Sequence, residues 1–244
     1  MAIAVFGDIH GNLEALDAIL RHIRRNRRRK KIRDVYFLGD GITFGSDSSA
    51  CLKLLEKHEV ICLAGNHEQR MIRYDSSVAE MTNVGLKHME YIYHSLDNDD
   101  LRFIKSMPLE IKTNIGGRNI LFTHYAFNKK GEVKDDPKFF NEQALNEMFD
   151  GTGFDAVFLG HSHSRKLIIN REGRSYFSVG SSGCVHGDTT YYTLFDVGAA
   201  VADNYDIYRI DVKFNRKKFV QKMIERDIPG KTDFAARFFG IEFS

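Results

Sequence analysis

Five short stretches of this chain carry side chains that bind metal ions or move protons. They are Gly7-Asp8-Ile9-His10-Gly11-Asn12, Gly39-Asp40, Gly65-Asn66-His67-Glu68, Thr123-His124 and Gly160-His161-Ser162-His163. Carboxylate, amide and imidazole offer oxygen and nitrogen donors without a thiolate, a set that suits manganese, iron, zinc or cobalt, and one carboxylate can bridge two ions. Singly, each stretch is a weak signal, because Gly-Asp is a common dipeptide and a lone histidine is usually a packed or surface residue. Placement gives them weight. His10, His67, His124, His161 and His163 each follow an apolar run, whereas His22, His58, His88, His94 and His186 do not.

Those runs, at residues 3–6, 34–38, 60–64, 120–123 and 156–159, are short, apolar and rich in β-branched and aromatic residues, so they read as buried strands. Ligands in open α/β sheets gather outside the carboxyl ends of the strands, which would let strand ends far apart in sequence converge. Between the strands, Leu13, Leu16, Ile19, Leu20 and Ile23 recur at helical spacing behind Asn12, a natural N-cap, and a second helix is expected over 48–58. Residues 69–107 read as a mainly helical cover without strands. Its stripe runs through Val84, Met89, Tyr91, Ile92, Leu96, Leu101, Phe103 and Ile104, interrupted by a polar turn at Asp97-Asn98-Asp99-Asp100.

Further on, Gly116-Gly117 predicts a hairpin between strands at 108–114 and 118–123, and residues 171–174 predict another between 166–170 and 175–179. A polar loop at 128–136 leads to a helix over 137–149. Gly180-Ser181-Ser182-Gly183 reads as a surface turn, with presentation of its amides to an anion as the alternative. Strands at 191–197 and 205–212, and helices at 213–226 and 232–239, finish the chain. Alternating strands and helices with added hairpins argue for an α/β fold with mixed sheets. With neither repeats nor a composition break, residues 1–244 are expected to form one domain.

Lysine and arginine number 35 against 33 acidic residues, a net charge of +2, so the chain as a whole is neither a polyanion binder nor an acidic tail. The local exception is Arg24-Arg-Asn-Arg-Arg-Arg-Lys-Lys-Ile-Arg33. No aromatic residue interleaves these charges for base stacking, so the run reads as a solvated helix end, with a guide for nucleic acid or polyphosphate as the alternative. Cys51, Cys62 and Cys184 lack a Cys-x-x-Cys pair and fit reduced packing thiols. No apolar run is long enough to span a bilayer, and a soluble cytoplasmic protein is expected.

Asp8-x-His10, Gly39-Asp40, Gly65-Asn66-His67-Glu68, His124 and Gly160-His161-x-His163, in that order, resemble the signature of the calcineurin-like metallophosphoesterases. The opening Gly7-Asp8-Ile9-His10-Gly11-Asn12-Leu13 is most similar to small prokaryotic members described as predicted phosphodiesterases. The resemblance covers the chain to about Gly183 and implies a four-layer α-β-β-α sandwich of two mixed sheets. It also implies that Asp8, His10 and His163 hold one metal, that Asn66, His124 and His161 hold a second, and that Asp40 bridges them. His67 would be no ligand but would protonate the leaving oxygen, or stabilise its charge, after attack by a metal-bridging hydroxide. The expected cofactor is two divalent or transition metal ions, manganese first, with iron, zinc, cobalt or nickel as alternatives.

Two departures narrow the expected substrate. Protein serine/threonine phosphatases of the superfamily continue the second motif as Gly-Asp-x-Val-Asp-Arg-Gly, where the arginine clamps phosphate and the aspartate orients the histidine. Here the stretch is Gly39-Asp40-Gly41-Ile42-Thr43-Phe44-Gly45, which lacks both charges and argues against phosphoprotein substrates. Some small members carry cysteine at the His67 position and favour diesters; histidine here keeps monoesters open. The Asn-Pro-Gly-Ser turn usual after the last hairpin is Ser178-Val179-Gly180-Ser181. The resemblance therefore implies hydrolysis of a small phosphodiester, phosphomonoester or nucleotide. Hydrolysis of dinucleoside polyphosphates, nuclease action guided by the basic run, and a non-catalytic metal-binding scaffold are the competing readings.

Overall fold

The computed structural model describes residues 1–74, 84–127, 133–134, 141–169, 173–197 and 206–243. The first apolar run is strand β1 (Ala2–Phe6), buried along its whole length. It lies at the centre of a five-stranded sheet, parallel to β2 (Ile32–Phe37) and antiparallel to β11 (Thr189–Asp196), with β3 (Ile61–Cys62) and β12 (Asp206–Lys213) at the edges. A second five-stranded sheet runs β4 (Glu110–Ile115), β5 (Arg118–Thr123), β8 (Ala156–Leu159), β10 (Ser175–Ser178), β9 (Lys166–Ile169). In it β5, β8 and β10 are parallel, and β4 and β9 are the antiparallel outer arms of the two expected hairpins. Between β4 and β5, Gly116 and Gly117 take φ of 61° and 85°, the positive values that a two-residue hairpin turn requires at both central positions. A small ribbon pairs β6 (Ala126–Phe127) with β7 (Val133–Lys134).

Strand alternation sorts the side chains into layers. From the first sheet, Ile3, Val5, Tyr36 and Leu38 pack inward against Ile120, Phe122, Ala156, Phe158 and Phe177 of the second. Tyr36 and Phe122 stack at 4.1 Å, a contact worth about 0.5–1.5 kcal/mol beyond the area it buries. On the outer face of the first sheet, Ala4 and Phe6 meet α1 (Leu13–Asn26), α2 (Ser48–Lys57), α4 (Val84–Ser95) and α5 (Asn98–Ser106) through Leu16, Ile19, Leu52, Leu55, Ile92 and Ile104. Leu121, Val157 and Leu159 on the far face of the second sheet pack on Leu145 and Phe149 of α6 (Glu142–Phe149). The order of layers is α-β-β-α, as the motif resemblance implied. No helix of the described residues is long and apolar enough to cross a membrane.

Several local expectations shift. Asp97 to Asp100 start a helix instead of making a turn: the Asp97 carboxylate accepts from the amides of Asp99 and Asp100 at 2.9 Å, and Asp100 accepts from the Asp97 amide at 3.1 Å. The expected cover consists of α3 (Asn66–Ile72), α4 and α5, with 75–83 outside the described residues. Most of the 128–136 loop and the expected helix start at 137–140 also lie outside them. Lys213 ends β12, and the helix after it is α7 (Arg216–Glu225). The last expected helix is a short α8 (Lys231–Phe234) running into a π-helix (Ala235–Phe239).

Asn12 caps α1, with Oδ1 accepting from the Ala15 amide at 3.1 Å, and its Nδ2 donates to the Gly183 carbonyl at 2.9 Å. Every arginine and lysine of the basic run is exposed, and Arg27 turns back to donate to the Ile32 and Arg33 carbonyls. All three cysteines are free thiols.

Candidate metal centre

The carboxyl ends of β1, β2 and β3 in one sheet and of β5 and β8 in the other open at the same end of the sandwich. Backbone hydrogen bonds carry the β1–β2 ladder past the strands: the amides of Asp8 and His10 donate to the carbonyls of Gly39 and Asp40, each at 2.9 Å. Gly39, at φ 92°, lies so close to Gly65 that a β-carbon would strike the Gly65 backbone, and a β-carbon on Gly65 would strike the Asp40 carboxylate. These glycines let the second and third loops touch. Asp8, His10, Asp40, Thr43, Phe44 and His161 all hold positive φ, between 46° and 74°. Each such residue costs about 1–3 kcal/mol, and strain of this kind concentrates at functional sites.

Asp40 is the hub. Its Oδ2 lies 3.2 Å from His124 Nε2 and 3.9 Å from both His10 Nε2 and His67 Nε2, while Oδ1 accepts from the His67 amide at 3.0 Å. On one side, Asn66 Oδ1 is 3.1 Å from His124 Nε2 and 3.1 Å from His161 Nδ1. On the other, His10 Nε2 and His163 Nε2 are 3.1 Å apart, and Asp8 Oδ1 is 3.6 Å from His163 Nε2. Among the described residues, three groups of side chains bring their ligand atoms within 4.8 Å of one another: His10, Asp40 and His67; Asp40, His124 and His161; and His10, His163 and Cys184. All eight residues singled out in the sequence, Asp8, His10, Asp40, Asn66, His67, His124, His161 and His163, are brought to this one place.

The donor set fits cations. His124 Nδ1 donates to the Leu38 carbonyl at 2.6 Å and His10 Nδ1 faces the Ile42 carbonyl at 3.3 Å, which points Nε2 of each ring into the site, where a metal ion would take the place of the His124 proton. A nitrogen lone pair 3.1 Å from another imidazole nitrogen calls for a proton or a cation between them. Both oxygens of the buried Asp8 carboxylate lack a well-formed hydrogen bond, with imidazoles and the His161 amide as the polar groups facing them. Burial holds the Asp8 carboxyl well above its usual range. Burial acts the same way on Asp40, but His124, His67 and His10 outweigh it and keep that carboxyl well below. Burial lowers His10 strongly and His163 to about 4, so both are neutral and able to ligate at neutral pH, whereas Asp40 overcomes burial at His124 and lifts it to about 9.

Around this centre stand groups that sequence reasoning passed over. Thr43 Oγ1 lies 2.9 Å from His67 Nδ1 and 3.4 Å from His10 Nδ1. Glu68, wholly buried, accepts from the amides of Asp40, Gly41 and Gly65 at 2.8 Å each and so ties the second loop to the third; it does not touch the His67 ring in any hydrogen bond. Phe44 packs its ring against His10 at 4.6 Å and His67 at 4.9 Å. His88, which no strand precedes, accepts from the Phe44 amide at 3.0 Å. Cys184, read as a packing thiol, comes within reach of His10 and His163, and burial pushes its thiol well up. Thr43, Phe44 and Glu68 lie inside the quoted motifs; His88 and Cys184 come from segments whose proximity leaves no local signal. The 180–183 turn is buried and not at the surface as expected, and the alternative anion role does not hold either, because the amides of Ser181, Ser182 and Gly183 donate to the carbonyls of His163, Gly7 and Asp8.

The family model for calcineurin-like phosphoesterases matches residues 1–165. Uncharacterized protein MJ0912 of Methanocaldococcus jannaschii is 27% identical over 243 residues, which cover 93% of each chain. Among solved structures, hypothetical protein PH1004 of Pyrococcus horikoshii superposes with a TM-score of 0.79 at 15% identity over 99% of both chains. A metallophosphoesterase from Sphaerobacter thermophilus does so with a TM-score of 0.69 at 19% identity over 98% of both. At those identities the structural likeness speaks for the fold.

Proposed function

The chain belongs to the calcineurin-like phosphoesterase family and is a metal-dependent phosphoester hydrolase, and on that premise we propose that it cleaves a small phosphodiester, phosphomonoester or nucleotide at a two-metal centre. Asp8, His10 and His163 would hold one ion and Asn66, His124 and His161 the other, with Asp40 common to both sets. The observation that carries this reading is the position of the Asp40 carboxylate between His10 and His124, with Nε2 distances of 3.9 and 3.2 Å. Bound there, a metal pair supplies Lewis acidity and a nucleophile available at neutral pH. Manganese is the first choice for a set of carboxylate, amide and imidazole donors, ahead of iron, zinc, cobalt or nickel.

The chain's own residues do the rest. His67, lowered to about 4 by burial against the pull of Asp40, is neutral and presents an N–H to the leaving oxygen. The Thr43 hydroxyl at Nδ1 holds that ring with Nε2 toward Asp40. Phe44 packs on the rings of His10 and His67, keeps water from that flank, and offers no charge to a phosphoprotein. The test is elemental analysis of manganese-loaded protein together with a screen of nucleotides, cyclic nucleotides, dinucleoside polyphosphates, sugar phosphates and phosphopeptides. Two bound ions and turnover of small esters over phosphopeptides are expected. A protein that binds one ion or none, or that prefers phosphopeptides, overturns the reading.

A further inference from the structure

The family match ends at residue 165, yet the last helical segment of the chain reaches back to the site. Phe238, in the C-terminal π-helix, stacks on Phe44 with ring centroids 4.2 Å apart and planes 9° from parallel. Its ring is 5.6 Å from that of His163 and 6.4 Å from that of His10. Phe234, at the end of α8, supports Phe44 from 5.0 Å. Beside Phe238, the exposed Arg237 places its guanidinium carbon 5.3 Å from the Phe238 ring centroid. One segment thus brings an aromatic anchor and a cation to the mouth of the site on the His10–His163 side. π-Turns are rare and recur at functional sites.

We propose that this segment completes the substrate site: Arg237 receives phosphoryl oxygens of the incoming phosphoester, and Phe238, through its stack on Phe44, is the positioning residue that holds Arg237 there. The inference rests on the phosphoesterase reading above. A guanidinium fork is the group whose geometry matches two phosphate oxygens. Stacking on Phe44 anchors the segment to the same loop that carries Thr43, so the cation is fixed relative to His67 as well as to His163.

The test uses the metal-loaded full chain with 4-nitrophenyl phosphate and bis(4-nitrophenyl) phosphate as substrates and inorganic phosphate as a competitive inhibitor. Loss of a charge-assisted hydrogen bond is worth on the order of tenfold in binding. Arg237→Met is expected to raise KM and the inhibition constant of phosphate by about that factor while kcat stays within about twofold. Arg237→Lys should recover part of the loss. Phe238→Ala should reproduce the Arg237→Met effect, the double variant should be no worse than either, and Phe238→Tyr should remain near wild type. Unchanged phosphate inhibition in Arg237→Met, with an active wild type, overturns the proposal, as do additive losses in the double variant. Arg237 is exposed, so its variants test the idea even if Phe238→Ala fails to fold. A wild-type protein that neither cleaves these esters nor binds phosphate removes the functional reading itself, and this inference with it.

Discussion

The Thr43 hydroxyl and the His67 imidazole meet at 2.9 Å, Oγ1 to Nδ1, at the edge of the metal centre. Thr43 is 1% exposed and sits at φ 74°, a conformation uncommon for any β-branched residue, with its amide donating to Ser48 Oγ at 3.0 Å. The fold tolerates that strain in order to aim a hydroxyl at the one site histidine assigned no metal. A neutral threonine stands where the related phosphatases use an aspartate, so His67 is oriented without being driven toward the imidazolium form.

Thr43→Val keeps the shape and removes the hydroxyl. A single hydrogen bond is worth about 0.5–1.5 kcal/mol net, so kcat should fall roughly 2- to 12-fold with metal content unchanged, and Thr43→Ser should restore most of it. Wild-type kcat in Thr43→Val, measured at full metal occupancy, would show that the contact orients nothing.

His67→Ala should retain its metals and lose activity according to the leaving group. Help to a departing oxygen is worth typically 10²–10⁴-fold and grows with the basicity of that oxygen. A nitrophenolate departs readily unaided, whereas an alkoxide does not, so alkyl phosphates should suffer far more than nitrophenyl esters. Comparison of kcat/KM ratios for the two classes decides it; equal losses would assign His67 to phosphate positioning instead.

Removing the metals with a chelator should abolish turnover, and Asp40→Asn should do more damage than any change to a residue on one side only. In the proposed assignment Asp40 is common to both ligand groups, so its variant should retain less than about one ion per chain, whereas His163→Ala should retain about one. Elemental analysis checks this, and equal metal content in the two variants would refute a shared ligand.

His88 gives the fold a dependence on pH. Burial, aided by an Nε2 committed to accepting from the Phe44 amide, holds it near 4 against an ordinary 6.5; the Pro229 carbonyl at Nδ1 pulls the other way. Its pKa is lower in the folded state, so the unfolded chain binds the extra proton between these values. The stability contributed by neutral His88 is complete above about pH 6.5 and is lost as pH falls through 4, on the order of 3 kcal/mol in all. In thermal unfolding of metal-loaded protein, His88→Gln should flatten the decline over that interval. An unaltered pH profile would place the sensitivity elsewhere.

Much of the site was legible in the chain because each ligand stands directly after an apolar strand, and a strand end is a local feature. Parallel strands within a sheet open at one end, so the sequence allowed Asp8, His10, Asp40, Asn66, His124, His161 and His163 to converge, and the packing of the two sheets brought those ends together. The layer order followed from the same motifs. Local hydrogen bonds were harder to foresee: Asp97 as a cap and Glu68 as a tie between loops both depend on which amide lies within 3 Å, and residue types alone leave that open. The contacts of Phe44 with Phe238 and of His88 with Phe44 were beyond reach, since they join segments 194 and 44 residues apart with no periodicity to link them. The convergence of these candidate residues was legible in the sequence because strand ends are positioned by local pattern, whereas their division between two ions came from the family signature alone. The groups that orient His67 and border the site belong to the tertiary structure, because only the packing of loop, helix α4 and C-terminal segment into one core decides which side chains meet.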